Sequence, residues 1–135
     1  MSELPRLIRR QSVISGWGVY AGESIAAESR IAEYKGELVA QAEAWRRELR
    51  YLSRQRIWIF NINQRWARDA AVGGNIARYI NHACRPNCYI DIVGRTIWIR
   101  ASRKIRKGEE LTYDYNTDGI ANIKCRCQPG CGRVL

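Results

Sequence analysis

Apolar and polar positions change period several times along this chain, and each change predicts an element. Val13 to Ala21 holds a glycine turn that feeds a strand, with Val19 and Tyr20 suited to a pleated surface. Ile31 to Tyr34 predicts a second strand, closed by a Lys35-Gly36 turn. The period then lengthens. Over Gln41 to Arg56, Trp45, Leu49 and Leu52 recur at helical spacing among Arg46, Arg47, Arg50 and Arg54, which predicts an amphipathic helix with one apolar stripe. Ile57 to Ile62 alternates again and is aromatic-rich, as a strand would be. Gly73-Gly74 breaks the chain, and Asn75 is placed to cap a short helix through Ile80. Tyr89 to Val93 and Thr96 to Ala101 are two strands around a Gly94-Arg95 turn. After a Lys107-Gly108 turn, Leu111 to Tyr115 is a final short strand. Many short strands, few helices and many turns make a mostly β domain with small α insertions.

The length of 135 residues suits one domain with its own core, and 46% apolar residues with 27% charged ones are ordinary for a globular chain. No apolar run approaches the roughly 20 residues of a membrane helix, so no membrane partner is expected. Met1 to Gln11 carries Arg6, Arg9 and Arg10 with no apolar run behind them, unlike a secretory signal. Cytoplasm is therefore the default location, with nucleus or a host cell left open.

The net charge of +10 has two readings. One is a solvated basic surface; the other is affinity for nucleic acid or an acidic partner. Of five cysteines, Cys84 and Cys88 lie together and Cys125, Cys127 and Cys131 crowd the C-terminus. An odd count without a secretory signal points away from a disulfide framework and toward metal or reduced thiols.

Several segments, in order, resemble the SET domain of protein lysine methyltransferases. Gly16-Trp17-Gly18-Val19-Tyr20-Ala21 is similar to its opening glycine motif, and Glu33-Tyr34-Lys35-Gly36-Glu37 to the next strand and turn. The run from Ala77 through Asn81-His82-Ala83-Cys84-Arg85-Pro86-Asn87-Cys88 resembles the most diagnostic motif of the family. Gly108-Glu109-Glu110-Leu111-Thr112-Tyr113-Asp114-Tyr115 resembles its last core motif. The tail Cys125-Arg126-Cys127, followed by Cys131, resembles the zinc-binding post-SET segment, with three residues between the last two cysteines where four are more usual. The chain lacks a cysteine-rich region ahead of the domain, and this compactness resembles bacterial members. The resemblance divides the chain into a lead-in over residues 1–12, a SET domain over 13–116 with a helical insertion at 41–56, and a post-SET tail over 117–135.

The resemblance implies small curved sheets and a C-terminal pseudoknot, a threading otherwise rare in proteins. It would bring Asn81-His82 to Tyr113 and Tyr115. It also implies S-adenosylmethionine as cofactor, held by Gly16, Trp17, Gly18, Tyr34, Arg78, Asn81, His82 and Tyr115. Glycines suit a backbone that must approach a ligand closely. Tyr115 takes the catalytic position, with Tyr113 and Tyr34 beside it and Tyr79 as a further wall of a narrow lysine channel. Methyl transfer is an in-line displacement that needs alignment and a neutral amine rather than a protein nucleophile. Tyr113 occupies the position that tunes product number, which implies a bias toward monomethylation. Structural zinc would be held by Cys125, Cys127, Cys131 and Cys84, a closed four-thiolate site; the competing assignment puts Cys88 in the place of Cys84. Val134 and Leu135 would pack over the active site once the tail is fixed.

The implied partner is a protein substrate with a target lysine, histone-like or ribosomal, met by a monomeric enzyme. A strongly basic enzyme repels a basic peptide at long range. Either a local acidic groove draws the substrate in, with Asp91, Glu109, Glu110, Asp114 and Asp118 as candidate carboxylates, or the basic face around Arg46, Arg47, Arg50, Arg54 and Arg56 binds nucleic acid. Two alternatives stand beside the enzyme: a zinc-stabilised basic module that binds nucleic acid, and a degenerate SET domain without turnover.

Overall fold

The computed structural model describes residues 4–117 and 123–135. Among these residues ten short strands form four small sheets, with one α-helix packed on one of them, as the mostly β reading expects. Strand β1 (Leu7–Gln11) pairs antiparallel with β2 (Trp17–Ala21). The N-terminal segment read as a lead-in thus contributes a strand, whose Leu7 packs against the main core. Strand β3 (Arg30–Glu33) begins a second sheet, β4 (Glu37–Ala40) a third, and the helix α1 (Gln41–Leu52) follows. Strands β5 (Ile59–Asn61) and β6 (Trp66–Asp69) complete the sheet of β4, in the order β4-β6-β5. A 3-10 turn over Ile76–Tyr79 leads to β7 (Asn81–His82). The hairpin of β8 (Cys88–Val93) and β9 (Thr96–Ala101) turns on Gly94-Arg95, with Gly94 at a φ of 63° that glycine adopts without strain. Strand β3 joins the other side of β9, and β10 (Thr112–Tyr113) closes the fold.

The main core lies between these sheets. Val19, Ile31, Ile97, Ile99, Ile105 and Leu111 are all buried there, as alternate positions of β2, β3 and β9 and the loop before β10 turn inward. Strand β10 runs parallel to β7, with Thr112 opposite Asn81 and Tyr113 opposite His82. Segments distant in sequence therefore meet where the pseudoknot expectation places them.

The helix departs from its expected form. It ends at Leu52 rather than Arg56, because Ser53 to Arg56 turn back onto the carbonyls of Leu49, Tyr51 and Leu52, and Gln55 takes a positive φ. Its apolar stripe stays out of the main core: Trp45 and Leu49 are exposed, and Leu52 packs in part against the small cluster of Cys125 and Leu135. The packed face instead carries Ala44, Arg47 and Tyr51. Asp69, fully buried in β6, draws that face inward, accepting from Arg47 Nη1 at 3.0 Å, from the Tyr51 hydroxyl at 2.7 Å and from the Ala71 backbone N–H at 2.9 Å. Arg47 also bridges Glu37 and Glu43. A polar anchor sets the helix rotation, which hydrophobic periodicity cannot register.

Other boundaries shift for local reasons. The strand expected over Ile57 to Ile62 is paired only at Ile59–Asn61, and that expected over Leu111 to Tyr115 only at Thr112–Tyr113. Asn75 precedes the 3-10 turn but does not cap it; its amide donates to the Glu33 carbonyl at 2.9 Å, tying the turn to β3. Gly36 is required by a close approach, since a Cβ there would lie 2.5 Å from the Asp69 carbonyl oxygen.

The buried Asp69, holding the half-buried Arg47 and Tyr51, generates a prediction. Asp69→Ala leaves the Tyr51 phenol and the Ala71 N–H without their acceptor and takes one of three carboxylates from Arg47, which keeps Glu37 and Glu43; it should lower the free energy of unfolding by about 2 kcal/mol. Urea denaturation would show this as a lower midpoint at unchanged slope.

Candidate active site

The parallel β7–β10 pair places Tyr115 against His82. The backbone N–H of Tyr115 donates to His82 Nδ1 at 3.0 Å, and its hydroxyl donates to the Ile80 carbonyl. Burial lowers the His82 pKa, only partly opposed by the Asp114 carboxylate, so the ring is neutral near pH 7. With Nδ1 accepting, the ring proton sits on Nε2, which lies 3.6 Å from Cys84 Sγ. One imidazole thus touches both the Tyr115 backbone and a thiol of the C-terminal cysteine cluster.

Two cavities flank Tyr115. The first, about 800 Å³, is lined by Gly16, Trp17, Arg78, Asn81, His82 and Tyr115, six of the eight residues expected to hold a cofactor. Tyr79 lies in this wall too, rather than in the lysine channel, with its hydroxyl accepting from Arg78 at 2.7 Å. Arg78 also donates to the Ala70 carbonyl. The Asn81 amide nitrogen faces the carbonyls of Ser15 and Trp17, both at 3.1 Å, and the Glu110 carboxylate at 3.0 Å. Its position holds the glycine loop over the cavity. Gly18 does not line that cavity; a Cβ there would overlap the Glu110 carboxylate, so this glycine lets Glu110 reach Ser12 and Asn81.

The second cavity, about 760 Å³, is lined by Tyr34, Trp45, Phe60, Tyr89, Tyr113 and Tyr115 among others. Tyr34, one of the eight, therefore belongs here. Its hydroxyl donates to the Trp58 carbonyl at 2.9 Å. Ring centroids step from Tyr34 to Phe60 at 5.3 Å, Phe60 to Tyr113 at 6.1 Å and Tyr113 to Tyr115 at 4.9 Å, forming a continuous aromatic wall. Burial drives the phenol pKa values of Tyr34, Tyr113 and Tyr115 upward, and their mutual repulsion adds to this for Tyr34 and Tyr113. All three stay protonated at neutral pH. Phe60 was missed from the sequence; its only signal is its place in the alternation of β5. The linings of the two cavities share Tyr115 and Ile57 and are otherwise separate.

The C-terminal cysteines gather beside this site. The sulfurs of Cys84, Cys125, Cys127 and Cys131 all lie within 4.8 Å of one another, with Cys84 at 3.8 Å from Cys125 and 3.6 Å from Cys131. A tetrahedron with Zn–S bonds of about 2.3 Å has edges of about 3.8 Å, so four thiolates here fit a closed zinc site. Cys88 is elsewhere, buried at the start of β8. Its thiol donates to Asn87 Oδ1 at 3.3 Å, and burial pushes its pKa up to about 12. Arg133 reaches Cys84 Sγ at 3.7 Å and both carboxylate oxygens of Asp114 at 3.3 Å. Burial works against the Asp114 charge, but the Asn116 backbone N–H and the Arg133 guanidinium hold its pKa below the usual range. Antiparallel backbone bonds between Ile123 and Leu135 fold the terminus back, and Leu135 is buried in the wall of the first cavity while Val134 stays exposed. Of the carboxylates proposed for an acidic groove, only Asp114 lines the second cavity. Asp91 pairs with Arg100 and Glu109 with Arg103, and Asp118 lies outside the described residues.

Comparison with known proteins places this geometry in context. A family model described as SET domain matches residues 16–116. A Yarrowia lipolytica protein named histone-lysine N-methyltransferase, H3 lysine-4 specific, is 44% identical over 136 residues, covering 93% of this chain and 12% of the relative. The Saccharomyces cerevisiae protein of the same name is 42% identical, covering 93% and 13%. Histone-lysine N-methyltransferase trr of Drosophila melanogaster is 41% identical, covering 93% and 6%. These relatives are fungal and animal. Among solved structures, Chaetomium thermophilum polycomb repressive complex 2 contains a chain with TM-score 0.77 and 31% identity, covering 86% of this chain and 16% of that one. Its autoinhibited form bound to S-adenosylmethionine also has TM-score 0.77 and 31% identity, covering 84% and 15%.

The thiol geometry separates the two assignments of the fourth ligand. Cys84→Ser should lose zinc in metal analysis of reduced, purified protein, while Cys88→Ala should retain one equivalent. Equal retention by both variants would count against Cys84 as the fourth ligand.

Proposed function

The chain belongs to the SET-domain family, and on that footing we propose that it transfers a methyl group from S-adenosylmethionine to the ε-amine of a lysine in a protein substrate. The observation that carries this reading is the pair of cavities whose separate linings converge on Tyr115. An in-line displacement needs donor and acceptor to approach one carbon from opposite directions, and two cavities joined at one phenol are suited to that. A module that only bound nucleic acid would have no use for this arrangement.

Gly16, Trp17, Arg78, Asn81, His82 and Tyr115 would hold the cofactor, and Cys84, Cys125, Cys127 and Cys131 would hold zinc. When bound, S-adenosylmethionine supplies an electrophilic methyl on a sulfonium. The chain's own residues do the rest. Tyr34, Phe60 and Tyr113 form an aromatic wall that accepts the aliphatic stem of lysine, excludes water and favours a cationic head by cation–π attraction. Tyr115, its hydroxyl proton directed to the Ile80 carbonyl, turns oxygen lone pairs toward the junction, where they stabilise partial positive charge on a transferring methyl. Because the nearby phenols stay protonated, none serves as base; the lysine sheds its proton to water before reacting. Tyr113, buried at the junction, restricts space for added methyls and supports a bias to monomethylation.

Residues 13–116 act as the catalytic domain and 117–135 as the tail that completes both cavity walls. The curated relatives carry histone or histone H3 in their names, which supports a histone as substrate and the nucleus as site of action. The cytoplasmic default finds no support in them. Nor does the monomer expectation, since the similar solved chains belong to a complex. This chain spans only 12% and 13% of the yeast relatives, so its substrate and partners rest on the shared domain.

Calorimetric titration with S-adenosylmethionine, followed by mass spectrometry of histone H3 incubated with enzyme and cofactor, tests the reading. Tyr115→Phe keeps the ring in the cofactor wall and removes only the hydroxyl, so it should still bind cofactor yet lower kcat by about 100-fold, the range for removing one group that stabilises transition-state charge. Wild-type turnover by Tyr115→Phe would overturn the assignment. Tyr113→Phe should raise the di- and trimethyl share of product; an unchanged distribution would remove Tyr113 from control of product number.

A further inference from the structure

The helix stripe that fails to enter the core has another destination. Trp45, Glu48 and Leu52, spaced three and four residues apart on α1, all line the second cavity. Only two lining residues of that cavity carry charge among the described ones, Glu48 and Asp114. Asp114 is already engaged by both nitrogens of the Arg133 fork. Among the described residues Glu48 has no ion-pair or hydrogen-bond partner, and its half-burial alone accounts for a carboxyl pKa above the usual range. The first cavity is the reverse, lined by Arg54, Arg56, Arg78, Lys124 and Arg126 with no Asp or Glu side chain among the described residues. In a chain of net charge +10, the substrate side is where an unpaired negative charge is exposed to a ligand.

We propose that Trp45 and Glu48 form a subsite for an arginine side chain of the substrate peptide, flanking the lysine to be methylated. A guanidinium satisfies both residues at once. It stacks on an indole face and forks a carboxylate, where an ammonium can do only the second well. Trp45 is half-exposed, so its ring is open to such a contact. The cation also offsets the cost of holding Glu48 half-desolvated, a cost the free protein bears without compensation. This proposal rests on the methyltransferase reading and names the side chain that aligns the peptide there.

The test uses short peptides with one central lysine in a neutral background and a single arginine walked along the sequence. Methyl transfer from labelled S-adenosylmethionine gives kcat/KM; fluorescence anisotropy with S-adenosylhomocysteine present gives affinity. For the wild type, arginine at one register should raise kcat/KM about tenfold, through KM rather than kcat, as a peripheral charge pair does. Glu48→Gln should flatten the profile, and Glu48→Arg should move the preference to glutamate at that register. Trp45→Ala should reduce the advantage of arginine over lysine. A profile unchanged by Glu48→Gln overturns the subsite, whatever the rate. Register-dependent binding that Glu48→Gln removes, without methylation of any peptide, upholds the subsite and sinks the methyltransferase reading instead.

Discussion

The structure depends on two residue pairs of parallel β-sheet. Strands β7 and β10 are short, yet their pairing of Asn81 with Thr112 and His82 with Tyr113 brings the two most diagnostic sequence segments into one site. Non-local parallel pairing costs loop-closure entropy, and two ladder residues return little of it. Side chains add the difference. Asn87 Oδ1 accepts from the Thr112 backbone N–H at 2.9 Å, its amide donates to the Glu110 carbonyl at 2.9 Å, and His82 takes the Tyr115 N–H. Asn81, His82 and Asn87 are all buried polar residues, and each uses its polarity to hold the crossing. The residues that read as ligand-binding in the motif are therefore also the residues that tie the knot.

This double use explains which parts of the molecule were legible in its sequence. The family motifs are legible because backbone closeness, polar satisfaction and chemistry all constrain the same few residues. Strands β2, β3, β8 and β9 are legible because period two is strong where one face is buried. Less legible were β1, β4 and β6, where arginines and acids stand in the strands: Arg9 and Arg10 in β1, Glu37 in β4, Arg68 and Asp69 in β6. Those charges are satisfied laterally, Arg68 by the Gly36 and Arg95 carbonyls and Asp69 by α1, and such long-range partners leave no periodic trace. Tyr34 and Tyr79 illustrate the same limit at the site. Each was assigned near the right chemistry, but a motif does not say which side of Tyr115 a ring will face.

The cysteine cluster shows how far spacing can carry. Three thiols close in sequence marked a metal site, but the choice of Cys84 over Cys88 needed three dimensions. Cys88 opens β8, opposite Ala101, and its side chain is committed to the core. Cys84 sits in the turn between β7 and β8, free to meet the tail. His82 then joins the two functions. A ring whose Nδ1 accepts from Tyr115 must direct its Nε2 proton toward Cys84 Sγ, and an N–H donor beside a thiolate is the kind of outer contact that orients a metal ligand. Folding of the tail and placement of Tyr115 are consequently not independent events.

Charge gives the last link. A basic domain acting on a basic substrate looks self-defeating only if charge is treated as a total. At physiological ionic strength the Debye length is about 8 Å, so a peptide inside a cavity responds to the charges lining it more than to the distant surface. The chain separates these charges by helix face. The exposed basic residues Arg46, Arg50 and Arg54 lie on α1 or just beyond it, while Glu48 on the same helix faces the second cavity beside Trp45. The rotation that makes this separation comes from Asp69 holding Arg47 and Tyr51. A buried carboxylate that holds one arginine and one tyrosine of the helix thus decides which face of the helix meets the substrate, and so which charge the substrate meets.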